Sequence, residues 1–373
     1  MTYNNEYITT KLRETLGKMT ILPLGRLRNS AAILTGIIIS KSVISSDIAS
    51  ELKDDFSEGK ESSKIKRIYR FFSNEKLNPE TNYHHFIKNL FKNYKPDNNK
   101  VILIIDHTTI EDKFLVLQIS MKIGKRAIPL WFKIFKYNDE NNKNFNHIKA
   151  GLNEVNSIIS LYNFDVLVLA DRGFKSVDLF EFISNDLRWK YCIRCTKDVG
   201  VEIPNEKKIE KLQNIKPVKN RVKHYTNVKL TAKKYTCDLA VCKHEDKQDV
   251  WYLIHNIDKN NCVNEYKKRF EIEEMFRDLK SNGFNLEDTW SKNLVYIRNL
   301  YFCLCIAYTW MIILGVYCRK NKKNSLLGVT KKIKNKTVRI YSLFKCGIKW
   351  FKRCLNSQLQ KYYLCFNFIL HEK

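Results

Sequence analysis

The 373-residue sequence predicts an α/β fold: a mixed sheet flanked by helices, with a β-rich insertion, a helical N-terminal region and a basic helical C-terminus. Three observations lead there. Between residues 101 and 195, apolar or alternating runs of strand length alternate with helix-period segments. The first hundred residues are patterned as short helices. The last eighty carry a long apolar run followed by interleaved cations and aromatics.

Residues 1–97 read as the helical N-terminal region. Within it RNSAAILTGIIISKS, SSDIASELKDDF and IKRIYRFFSN are punctuated by Ser and Gly. Ser46 is placed as the N-cap of a helix from Asp47 onward, because its hydroxyl can accept an amide hydrogen that has no helical partner. Lys64, Lys66, Arg67, Tyr69, Arg70, Phe71 and Phe72 interleave charge with aromatic rings. They fit a DNA-reading bundle and fit equally a helix with its rings in the core and its cations in water.

From Val101 the texture becomes β. VILIID, FLVLQISMKI and IPLWFKIFKY are three successive strands, HIKAGLNEVNSIISLY a helix, FDVLVLAD a buried strand, SVDLFEFISN a helix and WKYCIRCT a fifth strand. The order βββαβαβ describes a mixed sheet. Residues 198–250 break the alternation and are expected to form an inserted β-rich subdomain, so that 98–197 and 251–320 make up the domain built on the sheet. Between Lys207 and Lys234 there are ten Lys or Arg against one acid, Glu210, which marks a second surface suited to phosphate. Residues 321–373 form the basic helical C-terminal region: from Asp288 to Glu372 there is no other acid, and sixteen Lys or Arg lie between them.

Charge narrows the class of partner. Lys and Arg number 66 and Asp and Glu 39, a formal charge of +27, while 44% hydrophobic and 12% aromatic residues exclude a disordered polycation. A polyanion is the expected partner, nucleic acid before an anionic membrane. Eleven scattered cysteines and an N-terminus without a long apolar segment point to a reducing cytoplasm. The run from Leu300 to Cys318 holds nineteen residues without a charge, just long enough to span a bilayer, and its rival reading is a helix buried on all sides.

Candidate chemistry rests on three acids. VILIID closes on Asp106 and DVLVLAD on Asp171, and carboxylates at the ends of neighbouring strands can share a divalent cation. The third is Glu273. Tyr266, Arg269, Glu273 and Lys280 stand at offsets −7, −4, 0 and +7 and fall within a sector of about 60° at roughly 100° per residue. One helix face therefore offers a phenol, a guanidinium, a carboxylate and an ammonium, while Ile272, Phe276 and Leu279 turn toward a core. Ordinary i,i+4 ion pairs would use the same spacing. Cys192, Cys195, Cys237 and Cys242 are read as small core residues rather than zinc ligands, and His107 is left out of the reactive set.

The pattern Tyr266-x2-Arg269-x3-Glu273-x6-Lys280 resembles the Tyr-Arg-Glu-Lys signature of bacterial insertion-sequence transposases of the IS-four group, DDE enzymes with a ribonuclease-H-like catalytic domain. VILIIDHTT, IPLWFKI, LADRGF and GFNLEDTW resemble other parts of the same family, across about residues 25–320. The resemblance implies a cut-and-paste DNA transposase in which Asp106, Asp171 and Glu273 are catalytic and hold two Mg²⁺ ions, with Mn²⁺ as a substitute. It implies that Tyr266, Arg269 and Lys280 contact DNA phosphates. The implied partners are double-stranded terminal inverted repeats and target DNA, with a homodimer in the synaptic complex. The implied location is the bacterial cytoplasm, at the nucleoid, with no membrane. The alternative is a catalytically silent, transposase-derived DNA-binding protein. The family's flipped-base tryptophan has no trusted counterpart; Trp189 and Trp251 are the nearest by position.

Overall fold

A computed structural model describes residues 5–52, 60–139, 145–204, 209–219, 221–243, 249–328, 330–333, 336–339, 341–356, 364–366 and 368–370. Five helices come first: α1 (Asn5–Met19), α2 (Leu24–Ser40), α3 (Ser45–Ser50), α4 (Glu61–Phe72) and α5 (Pro79–Phe91). Strands β1 (Lys100–Ile110), β2 (Phe114–Ile123) and β3 (Arg126–Lys136) follow as a meander. Next come α6 (Phe145–Ile159), β4 (Asp165–Ala170), α7 (Val177–Glu181) and β5 (Lys190–Cys195). The β-rich stretch supplies β6 (Gly200–Glu202), β7 (Ile209–Lys211), β8 (Lys223–Leu230) and β9 (Tyr235–Lys243), and β10 (Val250–His255) returns the chain to β5. The remaining elements are α8 (Cys262–Lys267), α9 (Glu271–Leu279), α10 (Leu294–Lys320), the hairpin β11 (Thr330–Ile333) with β12 (Lys336–Arg339), and α11 (Leu343–Asn356).

Strands β1 to β10 form one sheet in the order β3-β2-β1-β4-β5-β10-β9-β8-β6-β7. Among the described residues, only β1–β4 and β4–β5 pair in parallel. The fold is the mixed α/β architecture of a ribonuclease-H-like domain with helical extensions. The strands of the β-rich stretch do not close on themselves. They continue the main sheet through the antiparallel pairs β5–β10 and β10–β9.

The long apolar run is the middle of α10, and nearly all of it is buried against other elements. By length and composition this helix could cross a membrane. Here its apolar surface is instead covered by β3, α2, α4, α5 and α11. Its polar side chains tie the N-terminal helices to the sheet. Arg298 grips Glu80 of α5 through two bonds of 2.7 and 2.6 Å, Asn299 donates to the Phe72 and Asn74 carbonyls, and Tyr301 donates to the buried Gln118 of β2.

Several local expectations need correcting. Ser46 is not an N-cap. The helix begins at Ser45 after an extended Ile44, and the Ser45 hydroxyl lies 3.1 Å from that of Tyr296. The strand carrying Asp106 does not end there, because His107 to Ile110 keep pairing with β2; what ends after Ile105 is the parallel ladder with β4. The helix expected to carry Tyr266, Arg269, Glu273 and Lys280 on one face is interrupted by a 3-10 turn at Lys268–Phe270 and stops at Leu279. Lys280, with φ −85° and ψ −122°, has left the helix.

The aromatic and basic segment of α4 divides between the two readings open for it. Phe71 and Phe72 are core, Lys64 is buried with its ammonium on the Leu52 carbonyl, and Arg67 binds the side chain of Asn29. Lys66, Tyr69 and Arg70 remain exposed. In the β-rich stretch, Lys207 and Lys208 lie outside the described residues, as do several cations of the C-terminal region.

Candidate active site

The two aspartates meet because of strand register. Ile105 is paired with Ala170 at the last step of the parallel β1–β4 ladder, so Asp106 and Asp171 are the next residues on adjacent strands. Their carboxylates emerge together at the C-terminal edge of the parallel pair, where α/β sheets form crevices. The Asp106 carboxylate accepts the His107 amide at 2.9 Å. After Asp171 the chain turns through Arg172–Phe174, and the Phe174 ring stacks on His107 at 4.5 Å.

The chain from α8 to α9 supplies the rest. Ile272, Met275, Phe276 and Leu279 are buried against the sheet, which orients the polar side of α9 toward the aspartates. Arg269 lies between the acids, its guanidinium 2.9 Å from Asp106 Oδ2 and 2.7 Å from Glu273 Oε1. Tyr266 donates its hydroxyl to Asp171 Oδ1 at 3.3 Å. Arg277 pairs with Glu274, which leaves Glu273 to Arg269.

The electrostatics follow from burial. The Arg269 side chain is 6% exposed, those of Asp106 and Glu273 18% and 46%. Desolvation pushes the Asp106 carboxyl up to about 6; Arg269 and the His107 amide oppose the shift, and Asp171 and Glu273 add to it. Burial also drives the Tyr266 phenol upward, so it remains a hydrogen-bond donor. Desolvation works against the charged form of Arg269, but Tyr266 and the three acids outweigh it and hold the guanidinium above its ordinary value.

Five of the six residues singled out from sequence therefore converge: Asp106, Asp171, Tyr266, Arg269 and Glu273. Lys280 does not join the row. It sits past the end of α9, with its ammonium 2.9 Å from Glu287. Tyr266 and Arg269 face carboxylates rather than solvent.

Sequence reasoning missed Arg194 on β5, whose guanidinium lies 4.0 Å from Asp171 Oδ1 and 2.6 Å from Asp249. An arginine inside the otherwise apolar run YCIRC was the available signal, since a cation in a buried strand needs an acidic partner. Trp189 and Trp251 are both buried, and Trp251 packs edge-on against the Tyr266 ring at 5.0 Å. The exposed indole is that of Trp290, 86% accessible, beside a cavity of about 1240 Å³ that Lys66, Tyr69, Arg70, Lys136 and Lys292 also line.

Chemically the cluster offers hard oxygen donors from three acids on two adjacent strands and a helix. That donor set suits Mg²⁺ or a similar divalent cation, which favours carboxylate oxygens. Arg269, among the described residues the one cation bonded to two of the acids, shows that positive charge is accommodated at this spot.

No curated protein matches the chain in sequence. The family model described as the transposase DDE domain matches residues 97–310, which begins just before β1, takes in all three acids and ends within α10. Since that match spans more than half of the 373 residues, the chain belongs to the DDE transposase family.

Proposed function

We propose that this protein is a cut-and-paste DNA transposase of the IS-four group, in which Asp106, Asp171 and Glu273 are catalytic and Tyr266, Arg269 and Lys280 contact DNA phosphates. One observation carries the reading: Asp106 and Asp171 at one edge of the sheet and Glu273 on α9, distant in sequence, come together, with Arg269 bonded to two of them. Asp106, Asp171 and Glu273 would hold Mg²⁺, or Mn²⁺ in its place. When bound, such cations supply positive charge at the oxygens exchanged during phosphodiester cleavage and strand transfer.

The chain's own residues divide the remaining work. Tyr266 orients Asp171 through its hydroxyl. Arg269, already among the acids, can present its fork of N–H donors to a phosphate entering the cluster. Lys280, close to Glu287, is proposed as a point charge for phosphate farther along the strand. Double-stranded transposon ends and target DNA are the partners, the active assembly is a homodimer, and the location is the bacterial cytoplasm.

The exposed cations and rings around Trp290 and Tyr69 support DNA contact by the N-terminal region, because cations with interleaved aromatics suit both phosphates and bases. The 1–97, 98–197 with 251–320, 198–250 and 321–373 divisions are retained as proposed functional regions. With all three acids present and grouped, no observation favours the catalytically silent alternative.

The test uses Asp106→Ala, Asp171→Ala and Glu273→Ala on labelled transposon-end DNA with Mg²⁺ or Mn²⁺. Each should abolish nicking while leaving end binding largely intact, since each removes charge that stabilises the transition state rather than a contact to the duplex. Cleavage at the wild-type rate by any one of them would refute the assignment.

A further inference from the structure

A second cluster of metal-binding side chains lies apart from the three acids, at the junction between the β-rich stretch and α8. His224 of β8, His255 at the end of β10 and Cys262 at the start of α8 bring one ligand atom each to within 4.8 Å of one another. Strand pairing explains the approach. His224 is opposite Ala240, Ala240 is opposite Leu253, and His255 lies two residues beyond Leu253, so both imidazoles stand on the same face of the sheet. The small Ala240 side chain between them leaves room for the rings. Cys262 reaches that face from α8.

His255 carries the independent observation. It is 1% exposed, its Nδ1 lies 3.1 Å from the Ile257 carbonyl, and its Nε2 is buried with no hydrogen-bond partner among the described residues. A backbone carbonyl on Nδ1 fixes the proton there and leaves the Nε2 lone pair available, which is the arrangement metal-ligating histidines use. An unpartnered buried nitrogen otherwise gives up its hydration with nothing in return. Burial, the largest effect, and the neighbouring His224 disfavour positive charge on His255, while Asp238, the Ile257 carbonyl and Asp258 oppose them.

We propose that His224, His255 and Cys262 bind a zinc ion, with the fourth position open to water. Two imidazoles and a thiolate suit zinc, whereas the carboxylate cluster suits magnesium. Ligand atoms of a tetrahedral zinc site stand roughly 3.3–3.7 Å apart, given bonds of about 2.0–2.3 Å. Closure therefore asks for about an ångström of movement, which the exposed His224 can supply. Zinc enters as Zn²⁺, the S–H bond of Cys262 breaks, a Zn–S bond forms and the proton leaves to solvent, with no change of oxidation state. Cys262 precedes Tyr266 by four residues, about one helical turn. The ion would clip α8 to β8 and β10 and so steady the Tyr266–Asp171 contact.

The experiment measures zinc in the untagged full-length chain after incubation with Zn²⁺ and dialysis, together with the absorption of the Co²⁺-loaded protein. About one zinc per chain is expected, with a thiolate-to-cobalt charge-transfer band. His224→Ala alters an exposed side chain and should keep the fold by circular dichroism while weakening zinc binding on the order of 10²-fold or more. Cys262→Ser, if it folds, should lose the charge-transfer band. Asp106→Ala should retain the zinc, which separates this site from the carboxylate cluster. A wild-type chain that takes up no zinc, or a folded His224→Ala that holds it with unchanged affinity, overturns the proposal.

Discussion

Replacing Arg269 by Ala tests whether its guanidinium stands in for cation charge between two of the acids. The two pairs it makes are not equal. That to Glu273 involves a carboxylate 46% exposed and, screened by water, contributes at most about 1 kcal/mol. That to Asp106 joins side chains 6% and 18% exposed. Removing one partner of a fully buried pair costs roughly 3–5 kcal/mol. The loss is smaller here, because Asp106 keeps the His107 amide and some contact with water. Protonation caps it further. Burial already lifts the Asp106 carboxyl to about 6 against the pull of Arg269, so without the guanidinium it can take up a proton near neutral pH.

A net destabilisation of about 2 kcal/mol follows, a fall in Tm of a few degrees for a chain of this size. The informative arm is a Mg²⁺ titration followed by thermal unfolding at pH 8. In the wild type, a cation must compete with Arg269 for Asp106 and Glu273; in Arg269→Ala it does not. Magnesium should therefore raise the Tm of the variant more than that of the wild type, and tenfold tighter binding adds up to about 1.4 kcal/mol. Equal Tm values without metal and equal responses to it would refute this account of Arg269.

Two further perturbations probe the scaffold. Helices α10 and α11 touch backbone to backbone: a Cβ at Gly347 would stand 1.9 Å from the Met311 carbonyl oxygen, and one at Gly315 would stand 2.0 Å from that of Leu343. Gly347→Ala should force the helices apart and cost about 1–3 kcal/mol, measured by chemical denaturation; wild-type stability would contradict the contact. Asp278, with its side chain 1% exposed beside Arg126, has its carboxyl raised from 3.8 to about 6, burial outweighing the arginine. A raised carboxyl binds its proton more tightly when folded. The benefit is present below about pH 4 and is lost as pH rises to 6. Relative to Asp278→Asn, the wild type should thus lose up to about 3 kcal/mol between pH 4 and 7, and a pH-independent difference would exclude the shift.

Sequence by itself determined what depends on neighbours along the chain. Period-two and apolar runs located β1 to β5, and helical periodicity located α6 and the apolar side of α9, because side-chain direction repeats locally. The composition, the two aspartates after apolar strands and the Tyr-Arg-Glu row were legible for the same reason. Tertiary structure decided everything that depends on which segments meet. Whether Asp106 and Asp171 were neighbours required the β1–β4 register. Whether Lys280 stayed in the row depended on where α9 stopped, and helix ends are set by turns and packing more than by period. Arg194 became part of the site only through β5 pairing beside β4. His224, His255 and Cys262 lie on three elements, so no spacing rule could group them. The apolar run of α10 is ambiguous as a sequence, since a membrane and a protein core solvate apolar side chains alike. The elements that cover it show it as a core helix here, and β3, α2, α4 and α5, which join the nearby α11 in that cover, lie far from it along the chain.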